Sequence, residues 1–367
     1  MEAAAQVVVP CVDLASTLAF FTDRLGMRVE LISPADDPAL VVISGLGVRL
    51  RLVRVAPGEM TAPPEIVIAA DHPVELLGAA DALIAPNGSR ITVIPARPPL
   101  VIPAVEQSLV IDRLADAGGW HAGRAGMGYR DLVPDRQGGR FVASHIRIAA
   151  GGTVPDYVHF HDVRFQMIFC YRGWVEVVYE DQGEPFVMHP GDCVLQPPMI
   201  RHRVLESSAG LEVIEIGCPA IHDTHADPAT TLPTGRVLPE RGYGLGQRFV
   251  RHIAADATWS AADAGGFEFR NIGIDGATHG VAGVRVLRRA LGDTAIAAEM
   301  TSHVHTGEFF LTFVLDGTVT AHFGELPPTA LAHGDCVVVP AGTEFAWTCP
   351  SADLELLEVT LPAGIGI

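Results

Sequence analysis

The chain repeats itself. Tyr129-Arg-Asp-Leu132 returns as Phe269-Arg-Asn-Ile272, His159-Phe-His161 as His303-Val-His305, and Gly191-Asp-Cys-Val194 as Gly334-Asp-Cys-Val337, while Gly173 and Pro197 return as Gly317 and Pro340. The offset runs from 140 residues (129 to 269) to 144 (173 to 317). A constant offset of this size marks a duplicated structural unit whose copies stack on one another. Within each copy, short runs rich in Val, Ile, Phe and Tyr are bounded by Gly and Pro, the pattern of many short strands joined by turns. The 38 glycines and 27 prolines of the whole chain agree with that. Two β-barrels or sandwiches of like topology are therefore expected, with the Pro/Thr/Ala-rich stretch from Cys218 to Arg236 connecting them.

The residues before the repeat read differently. A strand over Gln6 to Val12 leads into Asp13 to Gly26, where Leu14, Leu18, Phe21 and Leu25 recur at helical spacing, Asp13 can cap and Gly26 can terminate. Strand patterns follow at Arg28–Ile32, Ala39–Ile43 and Val48–Val53, and Pro86-Asn-Gly-Ser-Arg90 turns the chain into Ile91–Ile94. The four prolines between Pro95 and Pro103 predict a stiff linker. A short helix is expected from Val105 to Ala117, ended by Gly118-Gly119.

Composition excludes several function classes. A net charge of −18 disfavours nucleic acid and anionic membrane surfaces as partners. All 25 basic residues are arginine, so no lysine exists for a Schiff base or a P-loop, and such a composition suggests a GC-rich bacterial genome. The six cysteines form no C-x-x-C pair, and neither a signal peptide nor a membrane span is indicated; a cytoplasmic protein with reduced thiols is expected.

The histidines carry the chemistry. His159 and His161 lie two apart on a predicted strand, so both side chains project to one face, and His202 follows Pro197 on a later strand. Three neutral imidazoles suit a divalent transition ion, Fe, Ni, Cu or Zn, with Mn a further option, better than Mg or Ca. Gln166 stands beside them as a weak ligand through its carbonyl oxygen or as a hydrogen-bond partner of bound water. Because this set has no negative charge, an anionic chelating substrate fits it. Arg164 can grip a carboxylate, and His145 with Arg147 can line the pocket if their strand face turns inward. In the second copy, His303 and His305 persist, but Phe310 and Phe345 stand where Gln166 and His202 do, so no tight site is expected there; Glu308 is the one substitute ligand to weigh. His222 and His225, with Asp223 and Asp227, read as a polar loop without regular structure.

Two family resemblances follow from these residues. The elements Gly152, His159-Phe-His161, Gln166 and Gly173, then Gly191, Pro197 and His202, resemble the two motifs of the cupin superfamily, with Gln166 for the usual Glu and Met199 for the usual Gly. The C-terminal two thirds thus looks like a bicupin, with one barrel over 104–230 and a degenerate one over 236–367. Val12-Asp-Leu14, Ala19-Phe-Phe21, Leu25-Gly26 and Pro86-Asn-Gly88 resemble the glyoxalase/bleomycin-resistance (vicinal oxygen chelate) superfamily over 1–98. That family's metal positions look like Gln6 and Thr92 here, which implies no metal in this domain and a pairing or shielding role, and its members commonly form dimers.

The expected fold is mainly β, two tandem cupin jelly rolls behind a small α+β βαβββ domain. The resemblance implies an Fe(II)-type dioxygenase acting on an enol, a keto or hydroxy acid or a hydroxyaromatic. Alternatives are a redox-neutral isomerase or lyase on the same metal, and a non-catalytic small-ligand receptor.

Overall fold

The protein, seen in a computed structural model, is described over residues 5–78, 81–116, 118–262, 266–290 and 302–364. It divides into two compact units, Met1–Pro99 and Leu100–Ile367.

In the first unit, strands Val7–Cys11, Arg28–Ser33, Leu40–Gly45 and Val48–Arg54 form one sheet in which the first strand pairs in parallel with the fourth. Between the first two lies helix Leu14–Ala19, whose last turn widens to π spacing over Phe20–Arg24. Asp13 caps it: its carboxylate accepts the N–H of Ser16 at 3.0 Å. The predicted apolar stripe points inward, with Leu14, Phe21 and Leu25 buried against Val9, Ile43 and Leu52. A shorter second module follows, in which Glu65–Ala70 pairs in parallel with Arg90–Pro95 and helix Pro73–Leu77 connects them with Leu83–Ile84.

In the second unit, each copy of the repeat builds a seven-stranded sheet. The first runs in the order Val250–His252, Cys193–Leu195, Phe165–Arg172, Leu211–Cys218, Val142–Ile148, Gly128–Asp131, His121–Ala122. The second runs Ser260–Ala261, Phe267–Asn271, Gly283–Arg289, Glu355–Leu361, Phe309–Asp316, Cys336–Val338, Val110–Asp112. Each copy also has a smaller sheet: Phe186–Met188, Val175–Tyr179, His202–Ser207, His159–His161 and Thr224–Ala226 in the first, with Gly152–Thr153 at its side, and Thr329–Ala332, Thr318–Phe323 and Phe345–Thr348 in the second.

The outermost strands are exchanged. Val110–Asp112 precedes the first copy yet pairs with Cys336–Val338 of the second, and Val250–His252 precedes the second copy's repeat yet pairs with Cys193–Leu195 of the first. The exchange explains why the expected helix is reduced, among the described residues of this stretch, to the single 3-10 turn Leu114–Asp116 after the strand; Ala117 lies outside the described residues. Val105, Val110 and Ile111 are β-branched, and an open sheet edge offers this stretch hydrogen bonds that a one-turn helix would not match.

Strand alternation sorts the side chains into three cores. Ile146, Cys170, Val175, Val177 and Val213 fill the first barrel, and Phe310, Val314, Phe323 and Trp347 the second. The opposite faces meet between the barrels, where Phe141 stacks on Phe309 at 4.2 Å among Met167, Phe169, Ile216, Leu311 and Phe313. One such aromatic pair contributes roughly 0.5–1.5 kcal/mol beyond its buried area. The same contacts recur in mirrored form. Asp335 accepts the N–H of Leu114, and Asp192 that of Ala254; Arg130 donates to Gly334 O, and Arg270 to Gly191 O.

No helix among the described residues is long and apolar enough to cross a membrane. All six cysteines are free, five buried and Cys349 exposed.

Candidate metal centre

His159 and His161 alternate with Phe160, so both face the first barrel, and His202 sits directly across from His159 in the antiparallel pairing. Ring centroids lie 4.2 Å apart for His159 and His202, 5.2 Å for His159 and His161, and 5.4 Å for His161 and His202. One ring nitrogen from each falls within 4.8 Å of the others, close enough to share one ion. The turn that delivers His202 is tightly held: Met199 takes a left-handed φ of 69° and donates its N–H to His161 O at 2.8 Å. A non-glycine residue there costs about 1–2 kcal/mol, which the surrounding barrel must offset.

The orientation of each ring follows from its other nitrogen. Nδ1 of His159 donates to Tyr157 O at 2.8 Å and Nδ1 of His202 to Ile200 O at 3.0 Å, while Nδ1 of His161 has looser contacts with Asp223 O at 3.4 Å and Thr224 Oγ1 at 3.3 Å. This leaves each Nε2 with its lone pair: among the described residues those of His161 and His202 have no hydrogen-bond partner, and that of His159 accepts from Arg124. Burial keeps the rings neutral. It pulls His161 down to about 3, with help from His222 and His159, and it holds His202 and His159 below their ordinary range. Three neutral, pre-oriented imidazoles fit a transition ion without proton release. Gln166, buried, lines the same cavity and donates through Nε2 to Glu215 Oε1 at 2.6 Å.

The cavity measures about 350 Å³. Its lining combines apolar side chains, Ile146, Val175, Val177 and Val213 among them, with the three histidines, Gln166, Glu215 and Arg124. Arg124 Nη2 lies 3.0 Å from His159 Nε2, and its other amine is held by the buried Asp156, whose second oxygen accepts the N–H of Val204 at 3.0 Å. Below His202, Tyr179 packs parallel at 5.5 Å and takes a hydrogen bond from Gln196 at 2.8 Å.

Several residues singled out in the sequence lie elsewhere. His145 and Arg147 share the outward face of Val142–Ile148; Ser144, Ile146 and Ile148 face the cavity instead. His145 bonds Glu212 at 2.7 Å between the barrels, and Arg147 covers Trp120 at 4.1 Å. Arg164 does not line the cavity: its guanidinium pairs with Glu308 at 2.6 Å. Glu308 is held by both Arg164 and Arg140, which removes it as a ligand for the second barrel. The stretch read as an irregular polar loop is partly a strand. Thr224–Ala226 pairs with His159–His161, stacks His225 on Phe160 and brings His222 edge-on to His161 at 5.3 Å, in the cavity wall.

In the second barrel, His305 is committed on both nitrogens, Nε2 to Val339 O at 2.7 Å and Nδ1 accepting the N–H of Gly307 at 3.2 Å. Phe310 and Phe345 lie 5.1 Å apart with tilted rings where Gln166 and His202 would stand.

Sequence reasoning missed Arg124, Asp156 and Glu215. For Glu215 a signal existed, since Leu211, Val213 and Glu215 alternate on one face. Arg124 carried none, because it sits in an irregular turn where Ala125 takes a φ of 54°.

Residues 144–217 and 294–360 match the cupin domain. No curated protein matches the sequence. Among solved structures, salicylate 1,2-dioxygenase from Pseudaminobacter salicylatoxidans superposes with a TM-score of 0.53 at 14% identity, over 71% of this chain and 86% of that one. The oxalate decarboxylase of Lactobacillus farciminis, as its formate complex, gives 0.50 at 14% identity over 72% and 89%. The protein Ylba from E. coli gives 0.51 at 11% identity over 72% and 96%. The second unit therefore has the tandem cupin fold.

Proposed function

We propose that the first barrel is the active site of a metal-dependent oxygenase, of the Fe(II) type, acting on a small organic anion with two chelating oxygens. One observation carries the reading: three buried, neutral imidazoles have their Nδ1 atoms engaged, and their ligating atoms converge in the wall of one cavity. His159, His161 and His202 would hold the ion, which supplies Lewis acidity and, as Fe(II), a route to O2. The solved relatives are named for enzymes of salicylate and oxalate, which agrees with a small anionic substrate.

The chain's own residues supply the rest. Arg124 points its guanidinium at the histidine cluster while Asp156 holds its other side, so it grips the substrate's anionic group and fixes its register. The aliphatic wall accepts the organic body and excludes water around the reacting end. Glu215, a carboxylate in the same cavity, favours as second reading a redox-neutral isomerase or lyase in which it moves a proton. For the first unit, we propose a metal-free glyoxalase-like module that pairs two copies in a cytoplasmic dimer.

The test is O2 consumption by anaerobically prepared protein loaded with Fe(II) and offered catechols, β-diketones and hydroxyaromatic acids. Uptake with one class is expected; silence across all of them, with Zn or Ni supporting turnover, would transfer the assignment to the second reading. Arg124→Ala should raise the KM of the accepted substrate by about 10- to 100-fold, the worth of a charge-assisted hydrogen bond, and Arg164→Ala should leave it unchanged.

A further inference from the structure

The two copies of the repeat handle one carboxylate in opposite ways. In the second barrel, Glu358 is opposite Arg285 in the strand register and pairs with it at 2.6 Å. The equivalent pair in the first barrel is Glu215 opposite Ser144. With the arginine replaced by a small hydroxyl, Glu215 has no cation beside it on that strand. It turns instead to its other neighbour strand, where Phe310 of the second copy is replaced by Gln166, and accepts the Gln166 amide at 2.6 Å. Two coordinated exchanges between the copies, Arg to Ser and Phe to Gln, thus produce one part-buried hydrogen bond in the cavity that the histidines also line.

The chemistry of that bond fixes the amide. An ionised carboxylate only accepts, so the Gln166 NH2 must face Glu215, and the carbonyl oxygen is directed the other way. Among the described residues nothing donates to Gln166 Oε1. We propose that Glu215 is a positioning residue for the metal centre: it holds the Gln166 amide so that its oxygen is presented as the fourth protein donor, and it returns one hydrogen bond away the negative charge that a glutamate at 166 would have supplied directly. The inference rests on the metal reading of the barrel. It assigns to the pair what a single side chain would otherwise do, with the oxygen donor and the charge on separate residues.

The experiment uses the full chain, stripped of metal and titrated with Co(II) alone against a competing chelator, with the visible absorption band reporting coordination. Glu215→Leu should weaken Co(II) by about 10- to 100-fold and alter the band, the usual cost of losing a partner behind a ligand. Gln166→Leu should do the same, and the double variant should be no worse than either single one, because both remove the same oxygen. The exchanged pair Gln166→Glu with Glu215→Gln keeps the hydrogen bond with its polarity reversed, and should restore affinity to the wild-type level or above. Should Glu215→Leu not fold, Glu215→Gln keeps the shape, removes only the charge and is read the same way with a smaller drop. An unchanged band and affinity in the Glu215 variants, alongside a loss in Gln166→Leu, would overturn the proposal. Failure of the metal reading looks different: wild type and His202→Ala would then bind Co(II) equally poorly, and both ideas would fall together.

Discussion

The two barrels share a strand order, a turn chemistry and a pair of histidines, yet among the described residues only the first gathers three histidines whose ring nitrogens could share an ion. In the first, His159 and His202 each spend Nδ1 on a main-chain carbonyl, and no main-chain group takes Nε2 of either. In the second, His305 spends both nitrogens on the main chain, and Phe310 and Phe345 fill the remaining space. A histidine's presence on the right strand is therefore a weak criterion. What separates a ligand from a structural residue is which lone pair the backbone leaves over, and that depends on the residues around it.

This contrast can be broken or sharpened by experiment. The largest effect is expected from His202→Ala, which leaves two imidazoles and should lower metal affinity by more than about 100-fold, read by metal analysis and calorimetry. His305→Ala should leave metal content untouched and instead cost about 1–3 kcal/mol in urea unfolding, because Val339 O loses its donor. An equal loss of metal in both variants would erase the distinction between the barrels.

A smaller effect comes from pH. His159, His161 and His202 are depressed in the folded state, so the unfolded chain takes up protons first. Their destabilisation is absent above the ordinary value of 6.5 and grows as pH falls from there toward about 3, the position of His161. Metal-free protein should lose a few kcal/mol between pH 7.5 and 5 in urea melts, and saturation with metal should shift the loss to lower pH. Stability that stays flat over that range would show the rings to be solvated.

The smallest test concerns a feature that both copies keep. Arg147 lies over Trp120 at 4.1 Å and Arg288 over Trp259 at 3.7 Å, but Arg288 also pairs with Glu268 at 2.6 Å. Arg288→Ala should therefore cost about 1–2 kcal/mol and Arg147→Ala about 0.5–1 kcal/mol, with metal binding unaffected in both.

Much of this was legible in the residues. The repeat announced two barrels, Asp13 and the Leu14, Phe21, Leu25 spacing announced the capped helix, and the i, i+2 histidines announced a shared face. What failed has physical causes. The face of Val142–Ile148 that turns inward could not be read from His145 and Arg147, because both faces of that strand are covered, one by the barrel interior and one by the other barrel. The polar run around His225 gains its order from a neighbouring strand that no local pattern reveals. The stretch after Val105 contained helix formers, but Val110–Asp112 is held as a strand by an edge more than 200 residues further along, where Val338 meets Val110.

That distant pairing also bears on how such a duplicated chain can change. Each barrel ends on a strand carried by the stretch of chain that leads into the other, so a cut between residues 236 and 250 would leave both halves with a bare edge and an unpartnered strand. The histidine-poor copy is thereby shielded from deletion whatever its chemistry: it carries Phe310 and Phe345 where the first copy has Gln166 and His202, and the chain still cannot discard it without baring an edge of the first copy.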